Sequence, residues 1–202
     1  MPRYSYSMVC GPMFAGKTSS LIADYHKAKA RKNGVIILAP EMDTRHGGNA
    51  VVSHDGMAIG PVFRVRDFQT LSLAVNRLPR SRDLVIMIDE CQFLDVGFSG
   101  DFLESIMFAL SGRDVSVHLA FYGLDLDAWC NPWPMTSRIR LLPGIRVKTL
   151  TSRCCVCGVP APYTDRHGAG DVVQVGGGDV YFPVCHEHHS RNAVSKKLEQ
   201  AA

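Results

Sequence analysis

The stretch Gly11-Pro12-Met13-Phe14-Ala15-Gly16-Lys17-Thr18 decides the fold. It has the form G-x-x-x-x-G-K-T, and the chemistry of phosphate binding explains the spacing. Glycines let the backbone turn tightly, so that successive N–H groups point inward at phosphate oxygens. A helix that starts there adds the positive end of its dipole to the same point. Lys17 supplies a full charge for the β- and γ-phosphates, and the Thr18 hydroxyl is placed to ligate Mg²⁺. The flanks agree. Residues 3–9 are rich in aromatic and apolar side chains and read as a strand, and residues 19–32 carry Leu21, Ile22, Tyr25 and Ala28 on one helical face. The plain alternative is a glycine turn with a surface lysine; a strand before it and a helix after it argue against that.

Working outward, residues 34–39 (Gly-Val-Ile-Ile-Leu-Ala) and 83–88 (Asp-Leu-Val-Ile-Met-Ile) are continuous apolar runs, the pattern of parallel strands covered on both faces. Further strands are expected at 62–65, 115–121 and 146–150, the last as a core strand, and helices at 68–78, 99–110 and from Pro132 to about Leu142. Residues 40–60 lose periodicity and read as a long, mobile loop. The order β-α-β-β-α-β-α-β-α-β predicts an α/β fold: a mostly parallel sheet with helices on both faces, of the P-loop kind. Ligands in such sheets bind beyond the carboxyl ends of the strands. The phosphate loop, Asp89-Glu90 and Asp125/Asp127 all fall there.

The chain has 202 residues, 46% of them hydrophobic, and a net charge of +3. That is enough apolar material for one core without disulfide support, and the charge is too mild to argue for nucleic acid. There is no apolar run of membrane-spanning length and no secretory leader pattern at the first residues. Seven cysteines, four of them in the last quarter of the chain beside histidines, fit a reduced, cytoplasmic protein with a local metal site. Three regions are expected: a nucleotide-binding part over 1–150, a small metal-binding part over 151–192, and a tail over 193–202.

Asp89-Glu90 ends an apolar strand with two carboxylates. In phosphoryl transfer the first faces the Mg²⁺ of the bound nucleotide, and the second is free to polarise water or to accept a proton from a substrate hydroxyl. Cys154-x-x-Cys157 and Cys185-x-x-His188 are paired knuckles with two-residue spacers, the pattern of a closed, tetrahedral structural Zn²⁺ site. Cys155, His186 and His189 are the competing ligands. Between the knuckles, residues 163–181 read as two short strands flanking a glycine tip, either a loop folded over a ligand or a plain surface hairpin.

Taken together, Gly11 to Thr18, Asp43-Thr-Arg45, Ser53-His54, Asp89-Glu-Cys-Gln-Phe93, Gly123-Leu-Asp-Leu-Asp127, Cys154 to Gly158, Tyr163-Thr164, Arg166, Gly176-Gly177, Tyr181 and Cys185 to His188 resemble the type II, zinc-containing class of thymidine kinases. The resemblance implies ATP-dependent phosphorylation of the 5′-hydroxyl of thymidine, and of deoxyuridine. It implies an ATP site made of Gly11, Pro12, Met13, Phe14, Ala15, Gly16, Lys17, Thr18, Ser19 and Asp89, with Mg²⁺ at Thr18 and Asp89. Glu90 becomes the general base, and Arg45 approaches the phosphates. The nucleoside is held by Met13, Phe93, Leu124, Thr164, Tyr181 and a lasso containing Val172, Val173, Gln174, Val175 and Gly176. A homotetramer inhibited by thymidine triphosphate is implied as well.

This chain departs from the family pattern at Cys91, at His167, at Gln174, and at Ala128, where the family has an aromatic; here Trp129 stands next to it. These changes bear on base preference rather than on reaction type. Two other readings stay open. One is a nucleotide-dependent switch or nucleic-acid-associated zinc module, which would want a basic surface, whereas Asp165, Asp171, Asp179 and Glu187 surround the knuckles. The other is an inactive structural homologue, against which Lys17 and Glu90 both stand.

Overall fold

The computed structural model describes residues 3–43, 50–53, 56–80, 83–167 and 176–190. The chain opens with β1 (Arg3–Cys10), the phosphate loop and α1 (Lys17–Ala30). Next come β2 (Gly34–Pro40), a small antiparallel hairpin of β3 (Val51–Val52) and β4 (Ala58–Ile59), then β5 (Val62–Val65) and α2 (Phe68–Val75). β6 (Leu84–Ile88) leads through a single 3₁₀ turn (Cys91–Phe93) into the short α3 (Leu94–Gly97), followed by α4 (Phe102–Leu110) and β7 (Ser116–Gly123). The main sheet closes with α5 (Pro134–Ile139) and β8 (Arg146–Thr149).

Six strands pair in the order β5-β2-β6-β7-β1-β8, and every pairing is parallel. Alternate residues of the central strands enter opposite layers, as a pleated strand requires. Ile36, Leu38, Ile86 and Ile88 join Leu71, Val75, Phe102, Ile106 and Ile139 from α2, α4 and α5. Ile37, Ala39, Val85 and Met87 join Leu21, Ile22 and Ala28 from α1. This double coverage is why the two runs show no alternation in the sequence.

Three expectations need correction. β8 is an edge strand with all four residues exposed, not a core strand, because it pairs with β1 alone and its only large apolar side chain is Val147. The stretch expected as a loop over 40–60 contains the β3–β4 hairpin, whose Val51 and Ile59 pack into the α1-side layer; the apolar pairs were too short to show as strands. The turn and helix at Cys91–Gly97 were not expected either. α4 starts at Phe102, after Asp101, whose carboxylate accepts the Glu104 N–H at 3.0 Å and so fixes the helix start three residues past Ser99.

Beyond the sheet lie two more antiparallel pairs, β9 (Ser152–Arg153) with β10 (Pro160–Ala161), and β11 (Tyr163–Arg166) with β12 (Tyr181–Val184). β11 is the first of the two short strands expected within 163–181; its partner β12 begins only at Tyr181, and residues 168–175 lie outside the described residues. No described helix is long and apolar enough to cross a membrane.

Candidate active site

The carboxyl ends of β1, β6 and β7 lie side by side: Cys10 is in register with Gly123, and Ile88 with Phe121. Each strand delivers one piece of the site. After β1 the phosphate loop turns through Gly11 at φ 143, where a side chain would drive its Cβ to 2.3 Å from the Leu150 carbonyl oxygen. Lys17 is buried, and its Nζ donates to the Gly11 and Pro12 carbonyls at 3.1 and 2.6 Å, folding the ammonium back over the loop.

After β6, Asp89 and Glu90 separate as adjacent residues should. Asp89 is buried, while Glu90 stands in a cavity wall with its backbone in the left-handed region at φ 49. Non-glycine residues hold that conformation mainly where their surroundings enforce it. Gln92 holds the Glu90 side chain. Its Nε2 donates to Glu90 Oε2 at 2.5 Å, and its Oε1 accepts the Leu124 N–H at 3.0 Å, so one buried amide ties the end of β6 to the end of β7. Gly123 makes room for it: a Cβ there would lie 2.5 Å from Gln92 Oε1.

The segment after β7 turns on Asp127, whose carboxylate accepts the Trp129 and Asn131 N–H groups at 2.9 and 2.8 Å and the Asn131 side-chain amide at 3.1 Å. Asp125 faces Arg140 at 3.5 Å. The turn presents Trp133, whose N–H donates to the Asp125 carbonyl at 3.1 Å and whose carbonyl accepts the Thr136 and Ser137 hydroxyls, each at 3.0 Å. Its ring meets Phe93 edge to face, with centroids 5.6 Å apart.

These pieces and the β11–β12 hairpin enclose a cavity of about 650 Å³. Met13 through Ser19 line one side, Glu90, Phe93, Leu124 and Trp133 another, and Thr164, Gly176 and Tyr181 the third. Gly11 and Pro12 stay behind the wall as acceptors for Lys17, and Asp89 also lies outside the lining. Arg45, His54, Val172, Val173, Gln174 and Val175 lie outside the described residues.

Sequence reasoning missed Gln92 as a link and Trp133 as a wall. The signal for Trp133 was present: an aromatic directly before Pro134, hence at the fixed start of a helix. Trp129, singled out instead, lies under the Arg166 guanidinium, 4.2 Å from the ring centroid. Ala128 does line the cavity.

Of the cysteines and histidines considered, Cys154, Cys157, Cys185 and His188 come together, their ligand atoms all within 4.8 Å of one another. The separations are 3.8 Å for Cys157 Sγ to Cys185 Sγ, 3.7 Å for Cys154 Sγ to His188 Nδ1 and 3.2 Å for Cys185 Sγ to His188 Nδ1. Metal–sulfur bonds of zinc length would put ligands about 3.8 Å apart on a tetrahedron, so the donor set and its spacing fit a structural metal. Burial works against ionisation of Cys154, but N–H groups of Cys185, Cys157 and Val156 bring its thiol down to about 6. That favours the thiolate a metal needs. Of the competitors, Cys155 is exposed, and His189 packs against Tyr163 with its Nε2 3.4 Å from Cys130 Sγ.

Residues 5–189 match the family model described as thymidine kinase. The chain is 31% identical over 192 residues to a thymidine kinase of Choristoneura fumiferana entomopoxvirus, covering 93% of this chain and 97% of the relative. It is 32% identical over 194 residues to one from Deinococcus deserti, covering 90% and 92%. It is 34% identical over 187 residues to one from Porphyromonas gingivalis, covering 91% and 83%. A parallel sheet with the Gly11–Thr18 loop at its carboxyl edge, a Cys/His cluster beyond it and a match spanning nearly the whole length agree with one another: the chain belongs to the thymidine kinase family.

Proposed function

We propose that the chain transfers the γ-phosphate of ATP to the 5′-hydroxyl of thymidine, and of deoxyuridine, in nucleotide salvage. The observation that carries this is the single cavity in which the phosphate loop, the Glu90 carboxylate and the β11–β12 hairpin face one another. Phosphoryl transfer asks mainly for positioning and charge neutralisation. The Gly11–Ser19 loop holds the triphosphate. Glu90, held by Gln92, accepts the proton of the 5′-hydroxyl as the bond to phosphorus forms. Phe93, Trp133 and Leu124 pack against the base together with Met13, Thr164 sits beside the thymine methyl, and Tyr181 and the lasso over 172–176 grip the nucleoside. Arg45 approaches the phosphates.

Thr18 and buried Asp89 are the residues to hold Mg²⁺, which when bound neutralises phosphate charge. Zn²⁺ at Cys154, Cys157, Cys185 and His188 is structural. We further assign the nucleotide-binding region to 1–150 and the metal-binding region to 151–192, with a tail over 193–202. A cytoplasmic homotetramer inhibited by thymidine triphosphate completes the reading.

A shifted nucleoside preference is the second reading, favoured by the small Ala128 and the large Trp133 on one cavity wall. The test is ATP-dependent phosphorylation of thymidine, deoxyuridine, deoxycytidine and deoxyguanosine side by side. Thymidine and deoxyuridine should turn over fastest. Faster turnover of a purine or of deoxycytidine selects the second reading. ATP hydrolysis with no nucleoside product rejects both in favour of a nucleotide-dependent switch.

A further inference from the structure

The apex of the phosphate loop is held from outside the sheet. Phe14 has φ 61, a left-handed conformation that an aromatic residue keeps only under restraint. Three restraints come from the region beyond β8. The Met13 N–H donates to Thr164 Oγ1 at 2.9 Å. The Ser152 hydroxyl donates to the Phe14 carbonyl at 3.3 Å. Gly178 lies against the Phe14 ring, so close that a Cβ there would sit 3.2 Å from Cζ. Thr164 is buried in β11 and also lines the cavity. One side chain therefore touches both the loop that binds nucleotide and the space assigned to the nucleoside.

We infer that Thr164 is a positioning residue that couples the two substrates. Its hydroxyl fixes the loop apex, so a hairpin closed on a nucleoside presents a preformed phosphate loop, and nucleotide binds more tightly to the nucleoside-loaded protein. By linkage, nucleotide tightens nucleoside binding by the same factor. The inference rests on the kinase reading of the cavity.

The two ends of the side chain can be tested apart. Thr164→Val keeps the shape and removes the hydroxyl; Thr164→Ser keeps the hydroxyl and removes the methyl. Calorimetry gives the Kd of a non-hydrolysable ATP analogue with and without saturating thymidine, using the full chain with its metal. In the unaltered protein thymidine should tighten analogue binding severalfold. Thr164→Ser should retain that ratio while weakening thymidine. Thr164→Val should bring the ratio to about one and weaken the analogue by about 2–12-fold, the worth of one neutral hydrogen bond. Ser152→Ala, at a partly exposed position, should reduce the ratio by less and serves if Thr164→Val does not fold. A ratio in Thr164→Val or Ser152→Ala equal to that of the unaltered protein overturns the coupling. So does an unaltered protein that binds both ligands independently. An unaltered protein that binds no thymidine overturns the thymidine reading of the cavity on which this inference rests.

Discussion

The two walls of the cavity are built by different physics. The sheet wall rests on two continuous apolar layers in which Ile86, Leu38, Phe121 and Leu21 are fully enclosed. The hairpin wall rests on a cluster of four buried residues, Cys154, Ala161, Val184 and Cys185, with Tyr163 and Phe182 packed against it. Two of those four are metal-site residues. So little apolar surface cannot offset the entropy of ordering some thirty residues, so the hairpin wall is expected to depend on a metal held by the Cys/His cluster, and the sheet wall is not. On the proposed reading, chemistry and grip are thereby divided: the groups assigned to phosphate sit on the sheet wall, and those assigned to the nucleoside sit on the hairpin wall.

The largest effect should come from removing the metal. Structural zinc contributes on the order of 10–16 kcal/mol in small zinc-binding peptides, far more than the apolar cluster here supplies. Cys157→Ser is expected to abolish stoichiometric zinc and to let the amides of 152–167 and 176–190 exchange freely, while β2, β6 and β7 keep their protection. Hydrogen exchange read by mass spectrometry checks this. If both walls lose protection together, they are one cooperative unit and the contrast fails. If the hairpins stay protected without metal, their packing has been underestimated.

A smaller effect, on turnover alone, should follow from Glu90→Gln. The amide keeps the shape and can still meet Gln92, but it does not accept a proton from the nucleoside hydroxyl. We expect kcat to fall by about 10²–10⁴, the usual worth of a positioned general base, with both substrates' binding and the melting temperature retained. Near-normal kcat in steady-state assays with ATP and thymidine would move the base elsewhere. Asp127 is a poor replacement, since its carboxylate already accepts three hydrogen bonds from its own turn.

The sheet wall was legible because its rules are local. Six apolar or half-apolar segments of strand length, each beside a helical pattern, forecast all six strands of the main sheet. The phosphate loop and Asp89-Glu90 followed from their positions at strand ends. The four residues of the Cys/His cluster were legible from spacing, because a two-residue spacer brings both side chains of a knuckle to one point. What sequence could not show were links between segments far apart. Gln92 bridging Glu90 and Leu124, Trp133 against Phe93, and Thr164 on the Met13 N–H are contacts between groups that have no short-range signature. Edge position was also hidden: Arg146–Thr149 has strand character, but only pairing shows that one of its sides is open.

The smallest effect concerns acid and the sheet side of the molecule. His118 on β7 lies between Ser5 and Ser7 of β1, its Nδ1 and Nε2 each 2.9 Å from a serine hydroxyl. Burial lowers its pKa below the ordinary 6.5, Arg146 lowers it further, and Asp24 and a bond to Ser5 offset part of this. Well above pH 6.5 the imidazole is neutral in both folded and unfolded chains and adds no pH dependence. As the pH falls below that value the unfolded chain takes up the proton first, so stability declines until the folded imidazole protonates too. His118→Gln removes that proton site while keeping a side chain that can bond the serines. Melting temperatures measured at about pH 7.5 and about pH 5.5, on either side of the ordinary histidine value, should therefore drop less in the variant than in the unaltered protein. Both share the same metal site, so its own sensitivity to acid cancels in the comparison. Equal drops would mean that the serine pair accepts the charged ring without cost.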